Sequence, residues 1–261
     1  MRRALTLLLL LLLPASGAGA SDLSALRDGG LARVSGVVDG DTVRLADGRE
    51  VRLVGLQAPK LPLGRKNFPT WPLAGQARRA LVELVDGREL RLRYGGREVD
   101  RHGRALAHLY DEARDLWVQG RLLRQGWARV YTFPDNRALV PQMLAAEREA
   151  RAAGSGIWRH PFYAIRTPES VGRDVNTFQV VEGCAVDVAE VGSRLYVNFG
   201  ADWRTDFTVS VDDRDRRRHG GFDWLVDAVP PPCLRVRGWV KPRNGPMIEV
   251  THPEQIEPLE R

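Results

Sequence analysis

Three short stretches of this chain hold residue types that can handle an oxyanion. D39-G-D-T42 offers two carboxylates at one turn, V51-R-L-V-G-L-Q-A-P-K60 carries Arg52 and ends on Lys60, and D100-R-H-G-R-A-L-A-H-L-Y110 carries Arg104. A guanidinium fork can clasp oxyanions bidentately. A carboxylate can hold a hard cation or take a proton. The plainer reading is that Arg52 and Arg104 alternate with apolar residues as outward-facing strand arginines do, and that Asp39 and Asp41 simply make a turn. The window from Val51 to Val82 contains no Asp or Glu, yet it holds Arg52, Lys60, Arg65, Lys66, Arg78 and Arg79. Such a loop can hold an anion. It offers no carboxylate as a general base.

The elements that must position these residues follow from periodicity. L31-A-R-V-S-G-V-V-D-G-D-T-V-R-L-A alternates apolar and polar residues, and D47-G48 separates it from E50-V-R-L-V-G-L. Alternation around Asp-Gly signals a hairpin, so a three-stranded meander is expected over about 31–56. Proline-rich K60 to P72 reads as a loop. Helical spacing follows over 73–85, 114–125 and 138–153, with strands over 88–94 and 104–110 between the first two. Three strands, a helix, two strands and two helices predict an α+β domain over 31–158: a five-stranded OB-type barrel with three helices. Residues 159–174 read as a linker. Residues 175–261 are β-rich, with strands at 178–191, 195–199, 207–211, 233–240 and 247–250. A dense charged turn is expected over 212–218 and a short helix near 222–229. This second small domain is expected to be OB-like.

Composition adds bounds. Residues 1–20 carry two arginines, the apolar run Leu5–Leu13 and a small-residue stretch ending Ala18-Gly19-Ala20. That layout is the one expected of a secretory signal peptide, with an uncleaved anchor as the alternative; the run is about half of the ~20 residues a membrane span needs. An exported chain, periplasmic or secreted, is expected, with no stable membrane span after cleavage. Residues 21–167 carry a net charge of +8 and residues 168–261 a net charge of −4. Polyanion binding, if any, therefore belongs to the first half; an arginine-coated surface without a partner fits the charge equally. Cys184 and Cys233 are the only cysteines. A disulfide suits export, and two buried thiols suit the sequence as well.

The three motifs, their order and the elements around them resemble the thermonuclease, or staphylococcal-nuclease-like, family. The resemblance covers about 31–158, including L116-W-V-Q-G-R-L-L-R-Q-G-W and the terminal G-I-W158. It implies a calcium-dependent nuclease for DNA and RNA, in which water attacks a phosphodiester in line. Carried over by position, Asp41 matches a metal carboxylate and the Thr42 carbonyl a second ligand. Arg52 and Arg104 match catalytic arginines that hold the phosphate. His102 stands where the family often has a tyrosine beside it; apart from the family pattern, Arg65 and Lys66 of the basic loop are candidate nucleic-acid contacts. The second metal carboxylate is replaced by Gln57 and the catalytic glutamate by Lys60. Gln57 can still offer a neutral oxygen, but one charged ligand makes a weak calcium site. Lys60 beside two arginines is expected to stay an ammonium, since no apolar pocket to bury it is evident; a depressed lysine pKa is the alternative that would restore base chemistry.

Glu50 and Asp100 belong to strand and turn positions, with nothing to aim them at the site. His108, like His102, reads more simply as a surface or packing residue. Trp71, Tyr131 and Phe133 suit base stacking or packing equally. Tyr196, Phe199, Trp203 and Trp239 suit a core more than a binding face. The expectation is a protein that binds nucleic acid or another phosphorylated ligand through retained arginines, with hydrolysis weak or absent and calcium binding weak or lost. The alternatives are an active calcium-dependent nuclease with a modified site and an envelope protein-binding scaffold whose protein partner is unknown.

Overall fold

The structure is a computed structural model that describes residues 23–260. The leader expected over 1–20 lies outside the described residues. In the first half, β1 (Arg27–Asp39), β2 (Thr42–Leu45) and β3 (Glu50–Leu53) form the meander. Asp47 and Gly48 turn β2 into β3. Gly48 takes a left-handed φ of 87°, which glycine adopts without cost, and an Asp47 carboxylate oxygen accepts the Arg49 amide. β5 (Glu89–Tyr94) pairs with β1, β6 (Ala105–Asp111) pairs with β5, and β6 closes onto β3 in parallel. The order β3-β2-β1-β5-β6, with that closing pair, is an OB-type barrel. Leu45, Leu53, Leu90, Leu92 and Leu109 fill it.

Helix α1 (Ala74–Val85) turns Ala77, Leu81 and Leu84 inward. Its approach to the β1–β2 turn is close. A Cβ at Gly40 would lie 2.7 Å from the Ala58 Cβ and 3.0 Å from the Ala77 Cβ, so glycine is needed there. The next helix is shorter than its spacing predicts. Asp111 caps a 3-10 turn over 112–114, Asp115 takes a left-handed φ of 46°, and Leu116–Trp117 (β7) pairs back onto β6. Helix α2 therefore spans only Val118–Arg124. A two-residue pair, β4 (Leu56–Gln57) with β8 (Arg129–Val130), ties the exit of β3 to the chain beyond α2. Helix α3 is Val140–Ala152.

The expected linker, 159–174, is packed against the fold. It consists mainly of short 3-10 turns, Tyr163 is buried, and the Tyr163 hydroxyl donates to the Pro72 carbonyl at 2.6 Å. Beyond it lie β9 (Phe178–Cys184), β10 (Asp187–Val191), β11 (Arg194–Asn198), β12 (Thr208–Asp212), β13 (Cys233–Pro242), β14 (Pro246–Val250) and the edge strand β15 (Ile256–Leu259). The order β10-β11-β12-β14-β13, with β9 also on β13 and β12 parallel to β14, repeats the OB order when β9 and β10 are taken as one bent first strand. Cys184 and Cys233 sit opposite each other across β9 and β13 and form a disulfide.

The charged stretch expected to be a turn is instead a short helix, α4 (Asp213–His219). Asp212 accepts the Arg214 amide as its N-cap, acids occupy the first turn and Arg216 to His219 the last, and Gly220 ends it with φ 63°. That ordering suits the helix dipole. α5 is Asp223–Asp227. The two barrels have separate cores, one built from Leu23 to Ala146 and one from Val171 to Ile256.

Candidate phosphate-binding cleft

A cleft of about 850 Å³ opens at the mouth of the first barrel. Its lining includes six Lys and Arg side chains, at 52, 60, 65, 97, 101 and 104, against three aspartates, at 39, 100 and 135. The excess is positive, as a polyanion site requires.

Behind the lining residues Arg52 and Lys60 lies Asp41, on the β1–β2 turn and fully buried. The Lys60 Nζ lies 2.7 Å from Asp41 Oδ1 and 2.6 Å from Oδ2. Arg52 Nη1 lies 2.7 Å from Oδ1, and the Ala58 amide donates to Oδ2 at 2.8 Å. The Thr42 hydroxyl donates to Oδ1 at 3.3 Å. Burial alone would push the Asp41 carboxyl up, but the charges of Arg52 and Lys60 outweigh it and hold Asp41 far below the usual carboxylate range. Asp39 is also buried, accepts the Asp41 amide at 3.1 Å and faces Lys60 at 3.5 Å. Its pKa is raised by burial and then by the neighbouring Asp41.

Lys60 is not the open, solvated side chain that its loop suggests. It is largely buried, burial pulls its pKa down, and Asp41 pulls it back only in part. Its contact with both Asp41 oxygens, with the Asp39 carboxylate at 3.5 Å beside them, favours the ammonium, which has three donors to place.

Gln57 does not face this carboxylate. Its Oε1 accepts from Arg129 Nε at 3.1 Å and Nη2 at 2.8 Å. Arg129 is buried, with its guanidinium 4.7 Å over the Phe178 ring of the second barrel. The neutral oxygen expected to help hold a cation is thus committed elsewhere. Arg52 is committed in part as well. Besides Asp41, it donates to the Asp41 carbonyl at 3.1 Å and to the Leu56 carbonyl at 2.8 Å.

Arg104 is the more accessible of the two strand arginines. Its Nη2 lies 2.7 Å from Asp100 Oδ2, and its Nε donates to the same oxygen at 2.8 Å. The other Asp100 oxygen accepts the backbone amides of His102 and Arg104. Asp100, which nothing in the sequence aimed at the site, lines the cleft and orients Arg104; the Asx turn it makes is the sequence signal that could have shown this. His102 also lines the cleft, and its Nε2 accepts from Arg101 Nε at 3.1 Å. Arg65 reaches the rim, clamped to the Leu61 and Pro62 carbonyls and stacked 3.6 Å over Phe68. Lys66 is exposed and is not part of the lining, and Trp71 packs against Phe68 and Phe162 instead. Tyr131, Phe133 and Trp239 form an aromatic side of the cleft. His108 is buried in the core beside Trp117, with its pKa pushed down to about 3 by burial.

A family described as "Staphylococcal nuclease homologue" matches residues 50–160. An uncharacterised endonuclease of Escherichia coli O157:H7 is 31% identical over 130 residues, covering 48% of this chain and 75% of that protein. Protein ParB of Escherichia coli is 31% identical over 137 residues, 48% of this chain and 70% of that one. The chain belongs to the staphylococcal nuclease homologue family. A thermonuclease of Staphylococcus hyicus is 26% identical over 129 residues, 48% of this chain and 74% of that enzyme. Three other relatives are covered less fully. The chain spans 63% of an uncharacterised Bacillus anthracis protein and 27% and 26% of two probable staphylococcal-like nucleases of rice.

Calcium, which this family implies, does not fit the residues present. Both Asp41 oxygens already hold an ammonium, Gln57 holds Arg129, and among the described residues no group of three or more His, Cys, Asp or Glu side chains could gather a metal. A hard dication needs several oxygen ligands. Here the carboxylate is neutralised from within the chain.

Proposed function

We propose that this nuclease-family cleft binds the phosphates of a nucleic acid and does not hydrolyse them. The observation that carries the reading is the seat of Lys60: its ammonium lies 2.6 and 2.7 Å from the two oxygens of Asp41. A protonated lysine cannot take a proton from water, and loss of a general base alone costs roughly two to four powers of ten in rate. Arg104, oriented by Asp100, offers its guanidinium to a phosphate at the cleft mouth, with Arg101 and Arg65 beside it. Arg52 serves mainly to hold Asp41 and the β3 exit. Export is part of the proposal; the leader-like first twenty residues and the disulfide support it.

The test incubates the protein with single-stranded DNA and RNA, in calcium and in chelator, beside Arg104→Ala and the double variant Gln57→Asp/Lys60→Glu. Wild type should bind in a salt-sensitive, Arg104-dependent way and leave both polymers intact. Calcium-dependent cutting by wild type that Arg104→Ala abolishes would sink the reading and establish an active nuclease. Binding that ignores salt and Arg104 would favour a protein-binding scaffold.

A further inference from the structure

The nuclease-family match ends at residue 160, yet the second barrel reaches into the cleft. Trp239, on β13, is among the lining residues and is 47% exposed. Its indole N–H donates to the Tyr131 hydroxyl at 3.0 Å, which ties the ring's edge to the first barrel. Tyr131 packs edge-on against Phe178 at 4.7 Å, and Phe178 is the cross-strand partner of Trp239. Arg237, two residues back on the same strand, is buried and bonded to Glu147 of α3 and to Glu257. Position 239 is thus held against the first barrel by a buried ionic anchor.

We propose that Trp239 is a base-stacking subsite, supplied by the second barrel, for a single-stranded nucleic acid whose phosphates lie on the arginine side of the cleft. The inference rests on the phosphate reading above and names the substrate class more narrowly. A large exposed aromatic ring facing a basic cleft is the pairing that single-strand binders use: arginines follow the backbone while bases stack on rings. A duplex keeps its bases paired and stacked, so only an unpaired base can take the indole face.

The experiment measures binding of the whole protein to oligothymidine and oligouridine of about ten nucleotides, and to an abasic sugar–phosphate oligomer of equal length. Wild type should prefer the base-bearing polymers. Trp239→Ala should lose about five- to 150-fold of that preference with the abasic oligomer bound as before. Trp239→Phe, which keeps a ring, should retain most of it. Oligothymidine should also quench the intrinsic fluorescence of wild type more than that of Trp239→Phe. Equal affinity of wild type for abasic and base-bearing oligomers, or a quench unchanged in Trp239→Phe, overturns the stacking subsite and leaves the phosphate grip standing. No binding of any oligomer, with Arg104→Ala indistinguishable from wild type, removes the phosphate reading and the subsite with it.

Discussion

Lys60 acts at the residue scale as a cation tethered to the chain. It gives Asp41 one positive charge at a fixed place and occupies both of its carboxylate oxygens. Removing one partner of a buried ion pair typically costs about 3–5 kcal/mol, because the other charge stays behind unpaired. Arg52 still holds Asp41 at 2.7 Å, so Lys60→Met should cost less, roughly 2–3 kcal/mol in urea unfolding. Asp41→Asn should also destabilise, and adding Lys60→Met to it should cost less than Lys60→Met alone. Additive losses would mean that the two side chains do not sense each other. The basic loop was legible in the sequence, since the window from Val51 to Val82 has no acid. The burial of Lys60 was not, because Asp39 and Asp41 meet it from across the β1–β2 turn. The Gln57–Arg129 contact was harder still: the two residues lie 72 positions apart and meet only through the small β4–β8 pair.

β13 carries the argument at the scale of elements. It pairs with β9, β14 and β15, and its inward residues Leu234 and Val236 are fully buried. Its first residue, Cys233, closes a loop to Cys184 with a sequence separation of 49. The chain-entropy relation gives such a cross-link about 4 kcal/mol at 25 °C, before native-state strain. Reduction should therefore lower unfolding stability by about 2–4 kcal/mol, read by urea titration with and without reductant while thiol release is followed in parallel. A much smaller loss would mean that β9 and β13 remain associated in the denatured chain. Periodicity made the barrel strands and α1 legible. It failed at 212–218, where charge density suggested a turn and the Asp212 cap, acidic first turn and basic last turn make α4. It failed again at 114–117, where helical spacing was overridden by the left-handed Asp115 and by pairing with β6.

Two barrels of one strand order are joined across a buried polar seam, and that seam sets how the whole molecule should respond to pH. Glu147 accepts the Val130 amide at 2.5 Å and receives Arg237 at 3.1 Å through each oxygen. Arg137 of the first barrel forks onto Glu254 of the second. His252 lies in the same seam, 1% exposed, with its Nε2 2.7 Å from the Thr132 hydroxyl and its pKa pushed down to about 4 by burial. His108, in the first core, is pushed down to about 3 by the same cause. Both imidazoles are neutral when folded and titrate near 6.5 when unfolded. A depressed folded pKa places the stabilisation above the unfolded pKa and removes it as pH falls toward the folded value. Each imidazole should therefore cost the fold about 2 kcal/mol between about pH 6.5 and 5. Asp39, whose pKa is raised by burial and then by Asp41, acts in the opposite direction as pH falls. Urea unfolding at about pH 7.5 and 5 should show the drop, and His252→Gln should remove roughly half of it. A profile unchanged by His252→Gln would place the acid sensitivity elsewhere. Because His252 bridges the barrels, its protonation in the folded protein should also loosen Trp239 from the cleft; with its folded pKa at about 4, the preference for base-bearing oligomers should hold down to about pH 5 and weaken only nearer that pKa.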